Sequence, residues 1–206
     1  TNGTLLAERA KSLAEAGLGR VNVSLDSLRP RVYSRITGGT EEDLRRVLLG
    51  IDAAIEAGLI PVKVNMVVLK ENEEEVWDMV EFARGRGVIL QLIELLDLSG
   101  HGLGGDFSRI ERELESRADK IATRDMHRRR KYFIDGAEVE VVRPIDNTEF
   151  CANCNRLRVT SDGKLKPCLL RNDNLVDLGS ANLEETKSCL LYTSPSPRDR
   201  TRSRMP

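Results

Sequence analysis

Cys151, Cys154 and Cys168 are the residues of this chain whose type and spacing bear most directly on chemistry. Two residues separate Cys151 from Cys154, so one turn can present both thiolates to a single metal centre. Cys168 follows after thirteen more residues, and Asp162-Gly163 near the middle of that span marks a turn that folds it back toward the pair. Structural zinc sites are closed by four protein ligands, usually as two paired clusters. Here His127 lies upstream and Cys189 sits in a tail of different composition, so no fourth donor is well placed. A four-iron cluster on three thiolates leaves one iron open to a small ligand. On spacing alone, iron–sulfur and zinc both stand. Four cysteines so unevenly spaced do not make a secreted disulfide scaffold, and they suit a metal site in a reducing cytoplasm.

Beside the cysteines, Arg156 and Arg158 are two residues apart, so a strand would point both to one face. Planar guanidinium donors suit phosphate or a purine edge. Without the cysteines, the same pair would read as two surface arginines on a half-exposed strand. The basic run RDMHRRRK at 124–131 suits a solvated helix face, with a phosphate-binding or acidic-partner patch as the alternative. His101 and His127 read as loop or surface residues. With 32 Lys and Arg against 33 Asp and Glu, the net charge is −1, which does not imply general nucleic-acid binding. There is no run of eighteen apolar residues to span a membrane.

The elements that must carry these residues alternate between two periods. Leu5, Leu6, Ala10, Leu13 and Ala14 recur at helical spacing up to Gly17, and RVNVS at 20–24 alternates as a strand. Thr40 before Glu41, Glu42 and Asp43 reads as a helix cap, and Leu44, Val47, Leu48, Ile51 and Ile55 form an apolar stripe closed by Gly58. VKVNMVVL at 62–69 is the next strand; Asn72 reads as the cap of a helix burying Val76, Met79, Val80 and Ala83; VILQLIEL at 88–95 is again a strand. Such alternation implies parallel strands joined by helical crossovers. Asn22, Ser24, Lys63 and Asn65 put polar groups on one strand face, as a ligand-holding barrel lumen would, whereas a flat doubly wound sheet reads apolar on both faces. Three strands cannot close a barrel, so the others are expected upstream of Thr1. Residues 106–122 read as a polar helix; 132–144 and 156–168 read as hairpins turning at Asp135-Gly136 and Asp162-Gly163. The stretch from about Lys187, with its Ser, Pro and alternate Arg, has no periodicity and reads as a translated adaptor or cloning scar.

FCANCNRLRVTSDGKLKPCL closely resembles the C-terminal cluster motif of the GTP 3′,8-cyclases, the radical S-adenosylmethionine (SAM) enzymes that open molybdenum-cofactor biosynthesis. The resemblance runs from Thr1 to about Leu183 and includes TNG at 1–3, VNVSLDSL at 21–28, VKVNMVV at 62–68 and IEL at 93–95, with HRRRKYFIDGAEVEVVRP closer to the archaeal branch. It implies an α/β fold: residues 1–98 as the C-terminal part of a (β/α)6 TIM-like barrel, 99–132 as a helical connection, 133–186 as a small α+β iron–sulfur cluster and GTP-binding domain, and 187–206 as a non-native tail. It further implies a cytoplasmic lyase that uses one [4Fe–4S] cluster to cleave SAM and a second, three-cysteine cluster to bind the guanine of GTP. Cys151, Cys154 and Cys168 match that second cluster's ligands. Arg156 and Arg158 match catalytic arginines lining the GTP site, with Leu157 between them, and Lys63 matches a lysine contacting GTP. Ser24 matches a SAM contact, and Leu96 falls where bacterial relatives carry a SAM-contacting Met, so only an apolar contact is implied there. Gln91 stands where some relatives carry Arg. An electron donor and a possible homodimer are the implied partners. The CxxxCxxC motif of the SAM-cleaving cluster does not occur in these residues, so the chain is expected to be an inactive fragment of a longer enzyme. The rival readings are a zinc-stabilised module binding a nucleotide or partner without catalysis, and another radical SAM enzyme with an auxiliary cluster.

Overall fold

The computed structural model describes residues 1–96, 100–123, 129–143, 157–166, 172–173 and 175–177. Two compact units divide the chain, residues 1–123 with 129–145, and residues 124–128 with 146–206.

In the first unit, helix α1 (Leu6–Glu15) leads to strand β1 (Val21–Ser24), helices α2 (Pro30–Thr37) and α3 (Glu41–Glu56), strand β2 (Val62–Val68), helix α4 (Val76–Arg86) and strand β3 (Ile89–Glu94). Helix α5 (Phe107–Arg117) and strands β4 (Lys120–Thr123), β5 (Arg130–Ile134) and β6 (Ala137–Val142) follow. The sheet order is β1-β2-β3-β6-β5-β4, parallel from β1 through β6 and antiparallel across β6, β5 and β4. The molecule is therefore mixed α/β around a largely parallel sheet. Its core joins Leu44, Val47 and Ile51 of α3 and Met79 of α4 to Val23, Val64, Met66, Leu90 and Val139 of the strands.

Local chemistry accounts for most boundaries. The Thr40 hydroxyl accepts from the Asp43 N–H, and the Asp43 carboxylate accepts from the Thr40 N–H, so α3 opens on a reciprocal cap. At Asp135 and Gly136, φ is +47° and +86°, the left-handed pair of a two-residue hairpin between β5 and β6. Gly50 of α3 packs closely on the start of α1: a Cβ there would lie 2.7 Å from the Gly3 carbonyl oxygen and 3.0 Å from Leu6 Cβ.

Four features depart from the sequence expectation. Helix α2 adds an element between β1 and α3, started by Pro30 and stopped by Gly38 at φ +72°. Asn72 does not cap a helix: its amide donates to the Asp26 and Val67 carbonyls while its oxygen accepts from the Leu69 N–H, so the loops after β1 and β2 claim it instead. The polar helix at 106–122 stops at Arg117, because Asp119 takes the Phe133 carbonyl and 120–123 pair with β5. Finally, the hairpin at 132–144 extends the main sheet, with β6 lying parallel to β3.

In the second unit, β7 (Arg158–Val159), β8 (Lys164–Lys166) and β9 (Val176–Asp177) form an antiparallel sheet. Gly163 adopts φ +82° and its N–H donates to the Thr160 carbonyl, which makes the expected Asp162-Gly163 turn.

Candidate functional site

Period-two alternation in β2 buries Val62, Val64, Met66 and Val68 among the helices and leaves Lys63, Asn65 and Val67 on the other face. Pairing carries that second face across the sheet. Ser24 stands opposite Asn65, Asn65 opposite Gln91, Gln91 opposite Glu140 and Glu140 opposite Lys131. One polar row thus crosses five strands.

Glu140 is its centre. Its side chain has 0% exposure, in the middle of β6. Lys63 Nζ, 13% exposed, reaches Glu140 Oε1 at 2.7 Å from two strands away. Lys131 Nζ lies 3.5 Å from the same oxygen, and Arg129 Nη1 lies 4.0 Å from Oε2. Arg129 Nη1 also donates to Gln91 Oε1 at 3.3 Å. A buried carboxylate is tolerated only when cations and donors replace its water, and here three cations do. Arg129 and Lys131 therefore do not lie on a solvated helix face: the end of the basic run enters β5 and turns inward toward an acidic residue of the same chain.

The strand ends beside Ser24 are fixed by a second set of contacts. The Ser24 N–H donates to the Thr1 carbonyl and the Thr1 nitrogen donates to the Asn22 carbonyl, so Thr1 lies along β1 while Ser24 stays exposed. Asp26 accepts from the Val67 N–H at 2.8 Å; burial pushes its carboxyl above the ordinary value of 3.8, against the opposing pull of that N–H. Buried Glu75 accepts from the Ser27 hydroxyl and the Leu28 N–H, anchoring the loop that follows. Leu96 is half-buried just beyond β3.

Of the other expected site residues, Arg158 is half-buried on β7 opposite Lys166, and Leu157 before it is exposed. Cys151, Cys154, Arg156 and Cys168 lie outside the described residues, as do His127 and Cys189. His101 is exposed in a loop. Among the described residues, no group of three or more His, Cys, Asp or Glu could hold a metal ion, and no helix is long and apolar enough to cross a membrane.

Lys63 is a site candidate on sequence grounds, whereas Glu140, Arg129 and Lys131 join it only in the fold. A signal was present: AEVEVV at 137–142 sets Glu138 and Glu140 on the same alternating face of an otherwise apolar strand, and Arg129 and Lys131 share that period.

Comparison with known proteins places these parts. Residues 88–191 match the family described as Molybdenum Cofactor Synthesis C, and residues 1–83 match the Radical SAM superfamily. The chain belongs to the molybdenum cofactor synthesis family. Within this family, a probable GTP 3′,8-cyclase of Methanosarcina mazei is 54% identical over 96% of this chain and 61% of its own length. One from Methanothermobacter thermautotrophicus is 57% identical over 88% of this chain and 61% of its own length. Another, from Thermococcus kodakarensis, is 54% identical over 88% of this chain and 62% of its own length. The chain spans about three fifths of the length of these relatives. Both family matches contribute to one sheet, β1 and β2 from the Radical SAM segment and β3 to β6 from the molybdenum cofactor synthesis segment. The cluster around Glu140 joins them, since Lys63 comes from the first and Gln91, Arg129, Lys131 and Glu140 from the second.

Proposed function

We propose that this chain serves a GTP 3′,8-cyclase, which converts GTP to 3′,8-cyclo-7,8-dihydroguanosine 5′-triphosphate with a radical derived from SAM. The observation that carries this reading is identity of 54–57% over 88–96% of the chain to relatives bearing that name. Strands β1, β2 and β3, within residues 1–98, are then the C-terminal part of a (β/α)6 barrel, their polar face is the lumen, and the second unit carries the cluster. Helices packed against one face and ionic side chains along the other support that assignment.

In this reading Ser24 and Leu96 contact SAM, while Lys63, Arg156, Leu157 and Arg158 contact GTP. Ser24 and Lys63 share the polar face, one at the end of β1 and one near the start of β2. Cys151, Cys154 and Cys168 hold a [4Fe–4S] cluster; an all-thiolate donor set fits it, and three thiolates for four irons leave one iron open. When bound, that cluster supplies a Lewis-acidic iron for the guanine. Lys63 offers a point charge to phosphate, and Arg158 offers a planar set of donors. Reduction of the SAM-cleaving cluster calls for an electron donor, and thiolate-held iron suits a reducing cytoplasm.

The test is reconstitution of the anaerobically purified chain with iron and sulfide. About four irons and four sulfides per chain, lost when any of the three cysteines becomes Ala, and GTP binding that depends on the iron are expected. One zinc per chain with no uptake of iron would overturn the reading.

A further inference from the structure

Like charges face each other across two strands of the second unit. Arg158 on β7 stands directly opposite Lys166 on β8, and Val159 opposite Leu165. Strand β9 sets Val176 opposite Leu165 and Asp177 opposite Lys164. Opposed residues share a face of a sheet, as do residues two apart along a strand. One face of this sheet therefore carries Arg158, Lys164, Lys166 and Asp177, and the other Val159, Leu165 and Val176. Lys164 is matched within its own turn, its Nζ 3.1 Å from Asp162 Oδ2. Arg158 and Lys166 have no such match: among the described residues no carboxylate pairs with either, and the Lys166 ammonium donates to the neutral Asn172 Oδ1 at 2.6 Å. Both residues are half-buried, so neither is enclosed.

Opposed like charges destabilise an antiparallel pair, whereas opposite charges support it. An anion seated between Arg158 and Lys166 turns the first case into the second. We propose that Lys166 is a phosphate-binding residue for the nucleoside triphosphate, acting with Arg158 across the β7–β8 pair. GTP as the ligand, and Arg158 as one of its contacts, rest on the function proposed above; the partnership with Lys166 rests on register and charge. Register is fixed before any ligand arrives. The Thr160 N–H donates to the Lys164 carbonyl, and the Lys164 N–H to the Thr160 hydroxyl, so the Asp162-Gly163 turn holds β7 and β8 in step. The spacing of the two cations is thereby set in advance. An ammonium has three donors, and its bond to Asn172 leaves two for phosphate oxygens. The planar guanidinium takes two oxygens side by side.

The full chain, kept anaerobic and reconstituted with iron and sulfide, is titrated calorimetrically with GTP, ATP, guanosine and inorganic tripolyphosphate, and its melting temperature is followed without ligand. Lys166→Gln weakens GTP and tripolyphosphate about tenfold and leaves guanosine unchanged. The same change removes a repulsion, so the ligand-free chain melts higher than the parent. Lys166→Glu, which gives Arg158 a carboxylate, also melts higher and loses tripolyphosphate altogether. Lys166→Arg retains binding. Val159→Thr, on the opposite face, alters no affinity. Tripolyphosphate that does not bind the parent, or binds Lys166→Gln within about twofold of it, overturns the proposal. So does guanosine weakening in parallel, or a lower ligand-free melting temperature. GTP binding that is intact in Lys166→Gln and Lys166→Glu defeats the role of Lys166 and leaves the GTP reading standing. Tripolyphosphate binding that depends on Lys166, with no preference for GTP over ATP, keeps the phosphate pair and defeats the GTP reading alone.

Discussion

Lys63 Nζ and Glu140 Oε1 lie 2.7 Å apart although strand β3 runs between their strands. The ammonium spans a neighbour because Ile89 and Gln91 flank its path on β3, and the carboxylate is wholly buried. Removing one member of such a pair strands the other charge in a poorly solvated place. Glu140→Ala is expected to lower unfolding free energy by about 3 kcal/mol, and the double change Lys63→Met with Glu140→Leu to recover most of it. Urea denaturation of the two variants measures this; equal losses in single and double variants would show that the pair carries no mutual dependence.

Asp26 gives a pH signature. Its carboxyl is raised above 3.8, so between that value and the folded one the native chain holds the proton more tightly than the unfolded chain. Stability from this group therefore falls as pH rises through that window, and the whole cost is present above it. Asp26→Asn keeps an acceptor for the Val67 N–H and removes the charge. A higher melting temperature than the parent at neutral pH is expected, with the advantage vanishing below pH 3.8; an advantage unchanged across that range would contradict the burial argument.

Two glycines in helices should respond oppositely. At Gly50 a Cβ meets the Gly3 carbonyl at 2.7 Å, a backbone atom that cannot swing aside, so Gly50→Ala should cost about 1–3 kcal/mol. Around Gly85 in α4 there is open space, so Gly85→Ala should stabilise by up to about 1 kcal/mol through helix propensity. Thermal melts of both variants decide the comparison.

Ser24 and Lys63 share a face yet serve different ligands in the proposed function. Lys63→Gln is expected to weaken GTP about tenfold and leave SAM binding alone, while Ser24→Ala does the reverse to a smaller degree. Equilibrium titrations with each ligand separate the two. Parallel losses in both would place the residues in one subsite.

Elements fixed by neighbours in the chain were readable in advance. The Thr40–Asp43 cap, the Asp135-Gly136 turn and the alternation of VKVNMVV depend on hydrogen bonds and φ values within a few residues. Asn72 misled for the converse reason. Its residue type suits a helix cap, but the Asp26 and Val67 carbonyls and the Leu69 N–H together hold the side chain between the loop after β1 and the end of β2.

From the residues alone came the cysteine spacing, the α/β order, the polar face holding Ser24 and Lys63, and the family resemblance, because each is a short-range pattern of type and period. Tertiary structure alone placed β6 beside β3, and with it Glu140 within reach of Lys63, Arg129 and Lys131. Seventy-seven positions separate Lys63 from Glu140 (140 − 63), and no local preference specifies a pairing over that distance. It is settled by which strand completes the sheet and where a buried carboxylate can find its cations.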